Sequence, residues 1–451
     1  PAGAHSRRRR LTSLARLVFS VEAGGHLRGR LRVPGDKSIS HRCIMLGSLA
    51  EGVTRVSGFL EGEDSLATLN AFRQMGVRIL GPEQGRLEIR GVGMHGLTPP
   101  QGPLDLGNSG TSMRLLSGLL AGQKFPVTLT GDSSLSGRPM LRITEPLSRM
   151  GASIASTGNG TAPLVIRPVD RLCGIDYRMP VASAQVKSCL LLAGLYASGQ
   201  TCVTEPAPTR DHTERMLQGF GYPLRRDASR VCLEGGGRLL GGEVDVPADI
   251  SSAAFFLVAA TIAEGSDLLL EHVGMNPTRD GVIAILRLMG ADIEVLGRRL
   301  VGGEPVADLR VRSARLHGIR IPEAQVPLAI DEFPVLFVAA ACAEGETLLT
   351  GAEELRVKES DRIQVMADGL SVLGVDARPT ADGMLIRGGG LSGGRVDSHG
   401  DHRIAMAFSV AALRARGRVI IDDCDNVNTS FPGFVQLAAQ AGLRISAYGE
   451  N

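Results

Sequence analysis

Two kinds of segment alternate along the chain. One begins with small or polar residues and then turns apolar on every side: SISHRCIMLGSLAEG from Ser38, TSMRLLSGLLAG from Thr111, AQVKSCLLLAGLYASG from Ala184, SSAAFFLVAATIAEG from Ser251, EFPVLFVAAACAEG from Glu332 and HRIAMAFSVAALRARG from His402. The other keeps a polar face and stops at a glycine, at Gly76, Gly151, Gly221, Gly290, Gly374 and Gly442. The first kind recurs at intervals of 67 to 81 residues and the glycines at 68 to 84, so two independent markers give one period. A helix apolar all round is buried and one with a polar face lies outside, which predicts an inner and an outer helix in each unit. The short stretches VRIL, ASIA, YPL, ADIEV, VDA and LRI follow the glycines, as expected where a helix is stopped before the chain turns into a sheet. The period is longer than that of solenoid repeats, so each unit reads as a small α/β module with two helices and several strands.

Composition narrows the class. At 451 residues the chain is long enough for two or three cores, and 43% hydrophobic with 21% charged residues excludes a disordered protein. No apolar run approaches the roughly 18 residues of a membrane span. A net charge of +2 is too balanced for a generic nucleic-acid binder, so an anionic ligand must be met by local clustering. Residues 1–24 carry Arg7 to Arg10 and Arg16 and read as a basic, disordered N-terminal extension. The seven cysteines (Cys43, Cys173, Cys189, Cys202, Cys232, Cys342, Cys424) are dispersed without a C-x-x-C pair, which suggests neither a disulfide framework nor a zinc site and makes a reducing cytoplasm the default. His41, His212 and His402 are too scattered to define a metal site. No Walker A or Rossmann fingerprint supports nucleotide chemistry.

Only four of the 49 basic residues are lysines: Lys37, Lys124, Lys187 and Lys358. Where a positive charge suffices the chain has drifted to Arg, so a retained Lys points to a site needing a compact ammonium or a transferable proton. Lys124 lies in a loop-like AGQKFP, whereas the other three sit in dense polar motifs. VPGDKSISHR (Val33 to Arg42) sets Lys37 and Ser38 at a helix start with Arg42 one turn inside, a phosphate or carboxylate cradle. LGNSGTSMR (Leu106 to Arg114) is a Gly-rich turn feeding a helix, where small residues let a ligand approach the backbone. Asn108 and Ser109, Asp249 and Ser251, and Asp401 stand where N-caps belong. Arg138 in SGRPM and Arg210 in TRDHTERM read equally as ligand contacts or surface ion pairs. ASAQVKS (Ala182 to Ser188) places Ser183 and Gln185 at another helix start, suited to a phosphorylated ligand. Asp331 in AIDEFP is a helix cap or a base with a tuned pKa. RVKESDR (Arg356 to Arg362) is a solvated charged face or a site, and the retained Lys358 beside Glu359 favours the site. GDHRIAM sends Arg403 into an apolar helix, where it needs an anion.

Taken in order, PGDKSISHR, LGNSGTSMR, VASAQVKS, TRDHTE, IDEFP, RVKESDR, DHRIAM and NTSFP, across residues 25 to 445, resemble the 5-enolpyruvylshikimate-3-phosphate synthase family, and most closely its bacterial branch that includes glyphosate-tolerant members. The resemblance implies an α/β fold of two lobes, each of three βαβαββ repeats around inner helices and a cleft between them. Residues 36–248 would form one lobe and 25–35 with 249–451 the other. The family transfers the enolpyruvyl group of phosphoenolpyruvate to the 5-hydroxyl of shikimate 3-phosphate and needs neither metal nor organic cofactor. The alternatives are a UDP-N-acetylglucosamine enolpyruvyl transferase, whose first motif reads more like SGAKNA, and a non-catalytic phosphosugar-binding protein.

By resemblance Lys37, Asp331 and Glu359 are the acid/base candidates. Phosphoenolpyruvate would be held by Lys37, Gly110, Arg138, Gln185, Arg362 and Arg403. Shikimate 3-phosphate would be held by Lys37, Ser38, Arg42, Ser183, Ala184, Gln185, Arg210, Asp331 and Lys358. The expected partners are these two small molecules, with no nucleic acid, no membrane and a monomeric state. The substrates bring roughly five or six negative charges, so cations on both lobes should make a self-repelling cleft that substrate closes. Two departures stand out. Asn428, Thr429 and Ser430 precede Phe431 where many members carry a Lys, and Gly110 is the residue associated with glyphosate sensitivity although Leu115 matches the tolerant branch.

Overall fold

In the computed structural model, which describes residues 16–450, all six apolar segments are helices. They span Lys37–Leu49, Gly110–Ala121, Ala184–Gly194, Ile250–Ile262, Phe333–Ala341 and His402–Ala411, with nearly every side chain buried. The amphipathic segments give Glu63–Gln74, Leu141–Arg149, His212–Gly219, Gly281–Leu288, Arg362–Val372 and Phe434–Ala441. The six glycines that close them all take positive φ, from +80° at Gly221 to +128° at Gly442, a conformation that admits glycine without a Cβ penalty and ends the helix.

The sheets repeat as the helices do. The five four-stranded sheets share one order, in which the first strand runs parallel to the second and the third and fourth follow antiparallel. The sixth has three strands, and an isolated parallel bridge, Arg320 to Leu348, marks the first strand's place. Closure is achieved by chain ends: Glu243–Asp245 pairs with Val53–Ser57, Arg28–Leu31 with Asp267–Gly274, and Arg16–Val21 inserts between Val419–Asp422 and Ile445–Glu450.

Two hydrophobic cores result. One is built from Ile39 to Val246, the other from Phe19 to Val33 with Ala248 to Leu443. The chain crosses between them twice, and the crossings lie side by side: Gly35 bridges Ala248, Asp36 N donates to Pro247 O at 2.8 Å and Asp249 N to Pro34 O at 2.9 Å. Buried Arg279 ties both, donating to Asp36 and, at 2.9 Å, to Asp249.

Three expectations are corrected. Arg16–Val21 is a strand rather than part of a disordered extension, because its alternation buries Val18, Phe19 and Val21; residues 1–15 lie outside the described residues. The strand expected at YPL starts later, at Arg225, beyond Pro223. Cys202 and Cys232 form a disulfide, because the antiparallel register sets them directly opposite each other, a pairing invisible across 30 residues of sequence. Among the described residues no helix is long and apolar enough to cross a membrane.

Candidate active site

The inner helices of both lobes begin along the seam between the cores. Their caps explain why so many polar residues cluster there: Asp36 accepts from Ile39 N at 2.8 Å, Ser109 from Ser112 N at 3.1 Å, Ser183 from Val186 N at 3.3 Å, Asp249 from Ser251 N at 2.8 Å and Asp401 from Arg403 N at 3.0 Å. Helix Phe333–Ala341 is different. Its N-cap is Glu332, without a side-chain cap bond, so the Asp331 carboxylate has no capping task.

Asp331 is instead the hub of four cations. Arg210 of the first lobe donates to its Oδ2, while Lys358 Nζ lies 3.5 Å and Arg362 Nη1 3.3 Å from Oδ1, and Arg403 Nη2 lies 3.9 Å from Oδ2. Burial pushes this carboxyl up, but Lys358, Arg210, Arg403 and Arg362 together hold it well below the ordinary carboxylate range. Glu359 behaves alike: burial raises it, and Arg362, at 2.7 Å, with Arg138 and Lys37, outweighs burial and keeps it well below its usual value. Arg362 is 1% exposed and is shared by Asp401 at 2.8 Å, Glu359 and Asp331. Burial alone would lower it; these three carboxylates raise it. His402, pushed down to about 3 chiefly by burial and then by Lys37, is neutral at working pH and is not one of the site's cations.

Lys37 opens helix Lys37–Leu49. Its backbone N donates to Asp249 at 3.1 Å, and its ammonium donates to Asp64 at 3.2 Å and, across the seam, to Ser430 Oγ at 2.8 Å. Ser430, in the stretch that precedes Phe431, thus supplies a hydroxyl that orients Lys37. The lobes are in close contact here, because a Cβ on Gly62 would lie 2.6 Å from the Thr429 carbonyl oxygen.

The remaining first-lobe candidates surround the start of helix Gly110–Ala121. Arg138 donates to Asn108 Oδ1 at 2.6 Å, and Arg114 to Gln185 Oε1 at 2.5 Å, while Gln185 Nε2 reaches Thr111 at 3.1 Å. A methyl on Gly110 would sit 3.0 Å from Arg114 Nη1 and 3.1 Å from Arg138 Nη1. Burial, with Arg142 and Arg138 nearby, pushes the Arg114 guanidinium down to about 10. Ser183 and Ala184 cap and begin their helix. Ser38 lends its carbonyl to Arg42, whose other nitrogens donate to Thr213 at 2.7 Å and Ser188 at 2.8 Å. Arg42 is thereby buried among three helices rather than set on an open face.

The structure therefore brings Lys37, Arg138, Arg210, Asp331, Lys358, Glu359, Arg362 and Arg403 to one seam. It does not make a bare cationic cleft, because Asp64, Asp331, Glu359 and Asp401 are interleaved with the cations, and Arg142 of one lobe pairs with Glu354 of the other at 3.4 Å. Sequence reading overlooked Asp64, Arg114 and Ser430. Arg114 carried a usable signal, standing four residues after Gly110 on one helix face; Asp64, one of three acids in EGEDSL, carried none.

Comparison with known proteins agrees with the resemblance. The family model for EPSP synthase (3-phosphoshikimate 1-carboxyvinyltransferase) matches residues 21–437. The chain is 74% identical to the 3-phosphoshikimate 1-carboxyvinyltransferase of Alkalilimnicola ehrlichii, over 95% of this chain and 97% of that one, and 72% identical to that of Methylococcus capsulatus, over 95% and 98%. The solved EPSP synthase of Acinetobacter baumannii superimposes with a TM-score of 0.88 at 58% identity, covering 96% of this chain and 100% of that one. The enolpyruvyl transferase NikO of Streptomyces tendae, 16% identical, shares the fold with a TM-score of 0.77 over 97% and 100% of the two chains.

Proposed function

The chain belongs to the EPSP synthase family, and from that premise we propose that Lys37, Asp331 and Glu359 carry the proton transfers of its reaction. The protein is a 3-phosphoshikimate 1-carboxyvinyltransferase: it moves the enolpyruvyl group of phosphoenolpyruvate onto the 5-hydroxyl of shikimate 3-phosphate and releases phosphate. In addition, the hydroxyl loses its proton and attacks C2 of phosphoenolpyruvate while the methylene carbon gains a proton, giving a tetrahedral ketal phosphate. In elimination, the C2–O bond to phosphate breaks and the methyl carbon gives a proton back, restoring the double bond.

The observation that carries the assignment is the ionised Asp331 among cations of both lobes. Ionised, it has room for the hydroxyl proton, and it becomes a working base as the substrates' anionic groups draw off the cations that now depress it. Glu359 is ionised too, so the proton that reaches the methylene starts on the Lys37 ammonium and Glu359 takes it back on elimination. Lys37, Arg138, Arg362 and Arg403 hold the phosphate and carboxylate of phosphoenolpyruvate through charge-assisted hydrogen bonds, with Gly110 and Gln185 shaping the pocket. Ser38, Arg42, Ser183, Ala184, Gln185, Arg210, Asp331 and Lys358, with Lys37, hold shikimate 3-phosphate. The enzyme works in the cytoplasm as a monomer of two lobes, 36–248 and 25–35 with 249–451. A sedimentation mass other than one chain would remove the monomer from this reading.

A phosphate-release assay tests the whole. Phosphate should appear only when phosphoenolpyruvate and shikimate 3-phosphate are both present, and Lys37→Ala should abolish it. Turnover by Lys37→Ala at the parent rate would overturn the catalytic assignment.

A further inference from the structure

Lys187 is a retained lysine that the reaction does not use. It lies on helix Ala184–Gly194, 1% exposed, with its ammonium 3.0 Å from Glu205 Oε2 and 2.7 Å from Glu214 Oε1. The ammonium is thus held from two sides by opposite charge. A guanidinium is larger and planar, and this enclosed space between two carboxylates suits the compact ion, which accounts for a Lys surviving here.

Glu205 links that cation to the cleft. The same Oε2 that faces Lys187 accepts from Thr209 Oγ1 at 2.6 Å, and Thr209 precedes Arg210, which pairs with Asp331 of the other lobe. The segment between is EPAPTRD. Pro206 and Pro208 have no N–H to donate, and residues 206–210 form no backbone–backbone hydrogen bond. Its placement therefore depends on side chains: Thr209 to Glu205 fixes the residue before Arg210, and Arg215, Arg226 and Asn276, all donating to Asp211, fix the residue after it. With Lys187 removed, Glu205 and Glu214 would be like charges buried together, and Glu205 would move away from the position in which it holds Thr209.

We infer that Lys187, acting through Glu205 and Thr209, is a positioning residue that holds Arg210 where shikimate 3-phosphate is bound. This rests on the proposed contact between Arg210 and that substrate. Lys187→Met tests the ion, and Thr209→Val tests the tie without leaving a buried charge unpaired, so it reports even where Lys187→Met does not fold. Each variant should raise KM for shikimate 3-phosphate about tenfold, the scale of one lost hydrogen bond to a charged group, with kcat and KM for phosphoenolpyruvate within about twofold of the parent. Parent KM values in Thr209→Val, or a loss spread evenly over kcat and both KM values, would overturn the inference. Arg210→Ala separates the two layers: a raised KM there alone leaves the substrate contact standing and removes Lys187 from it, whereas an unchanged KM removes the contact and with it the route by which Lys187 acts.

Discussion

Two groups of guanidiniums along the seam, one around Gly110 and Ser188 and one around Asp331 and Asp249, are supported in opposite ways. In the first, Arg114 and Arg138 rest on the amide oxygens of Gln185 and Asn108, and Arg42 on hydroxyls and a carbonyl. None of the three makes a direct ion pair among the described residues, and burial pushes Arg42 and Arg114 down to about 10. In the second, Arg362 is surrounded by Asp401, Glu359 and Asp331, and Arg279 by Asp249, Asp36 and Glu332; in both cases carboxylates overcome burial and raise the guanidinium. One group presents charge for an anion to neutralise. The other group is already paired with carboxylates, two of which, Asp331 and Glu359, are the proposed proton carriers. Lys37 is the point where the two styles meet, as it belongs to the first lobe yet bonds Asp64 and Ser430.

The strongest challenge to this contrast is Asp331→Asn. It keeps the shape and removes the proton acceptor, so kcat should fall by about 10²- to 10⁴-fold in the phosphate-release assay with KM for phosphoenolpyruvate little changed. A loss confined to KM would show the second group to be a binding surface like the first. Arg138→Ala should do the reverse, raising KM for phosphoenolpyruvate about 10- to 100-fold as charge-assisted hydrogen bonds are lost. Equal falls in kcat and kcat/KM would contradict it.

Gly110→Ala is milder. Its methyl presses on the two first-lobe guanidiniums at 3.0 and 3.1 Å, so KM for phosphoenolpyruvate should rise about threefold and the inhibition constant of glyphosate, a slightly longer anion, by more. Inhibition curves of the parent and variant that coincide would show that these guanidiniums yield freely.

The smallest effect is on stability. Asp331 and Glu359 are depressed in the folded chain, so their stabilisation is complete above the ionisation of unfolded carboxylates, near pH 4, and is lost as pH falls through the folded values. The Tm gap between the parent and Asp331→Asn should therefore be widest at neutral pH and shrink in acid. A gap independent of pH would mean that the cations around Asp331 do not set its ionisation.

Much of this was readable from periodicity. Each inner helix is apolar on all sides and each outer helix ends at a glycine with positive φ, so local composition was enough to place both. What local sequence does not carry is partnership at a distance. Arg16–Val21 looked like the tail of a basic segment because the strands that flank it lie some 400 residues away. The stretch Asn428 to Ser430 read only as a missing cationic contact until the bond from Lys37 to Ser430 was seen, and Cys202 and Cys232 became a pair only through register. Asp331 could have been read as a cap from its context; only the backbone turn that gives that position to Glu332 leaves the acid free.

The paired crossings at Gly35 and Ala248 make one lobe a cassette. Its first and last residues are already hydrogen-bonded neighbours, so a gene could be opened inside residues 36–248 or rejoined across them without a long tether. Joining Pro34 directly to Asp249, already hydrogen-bonded neighbours, would make the discontinuous core one continuous chain and release 36–248 as its complementing fragment.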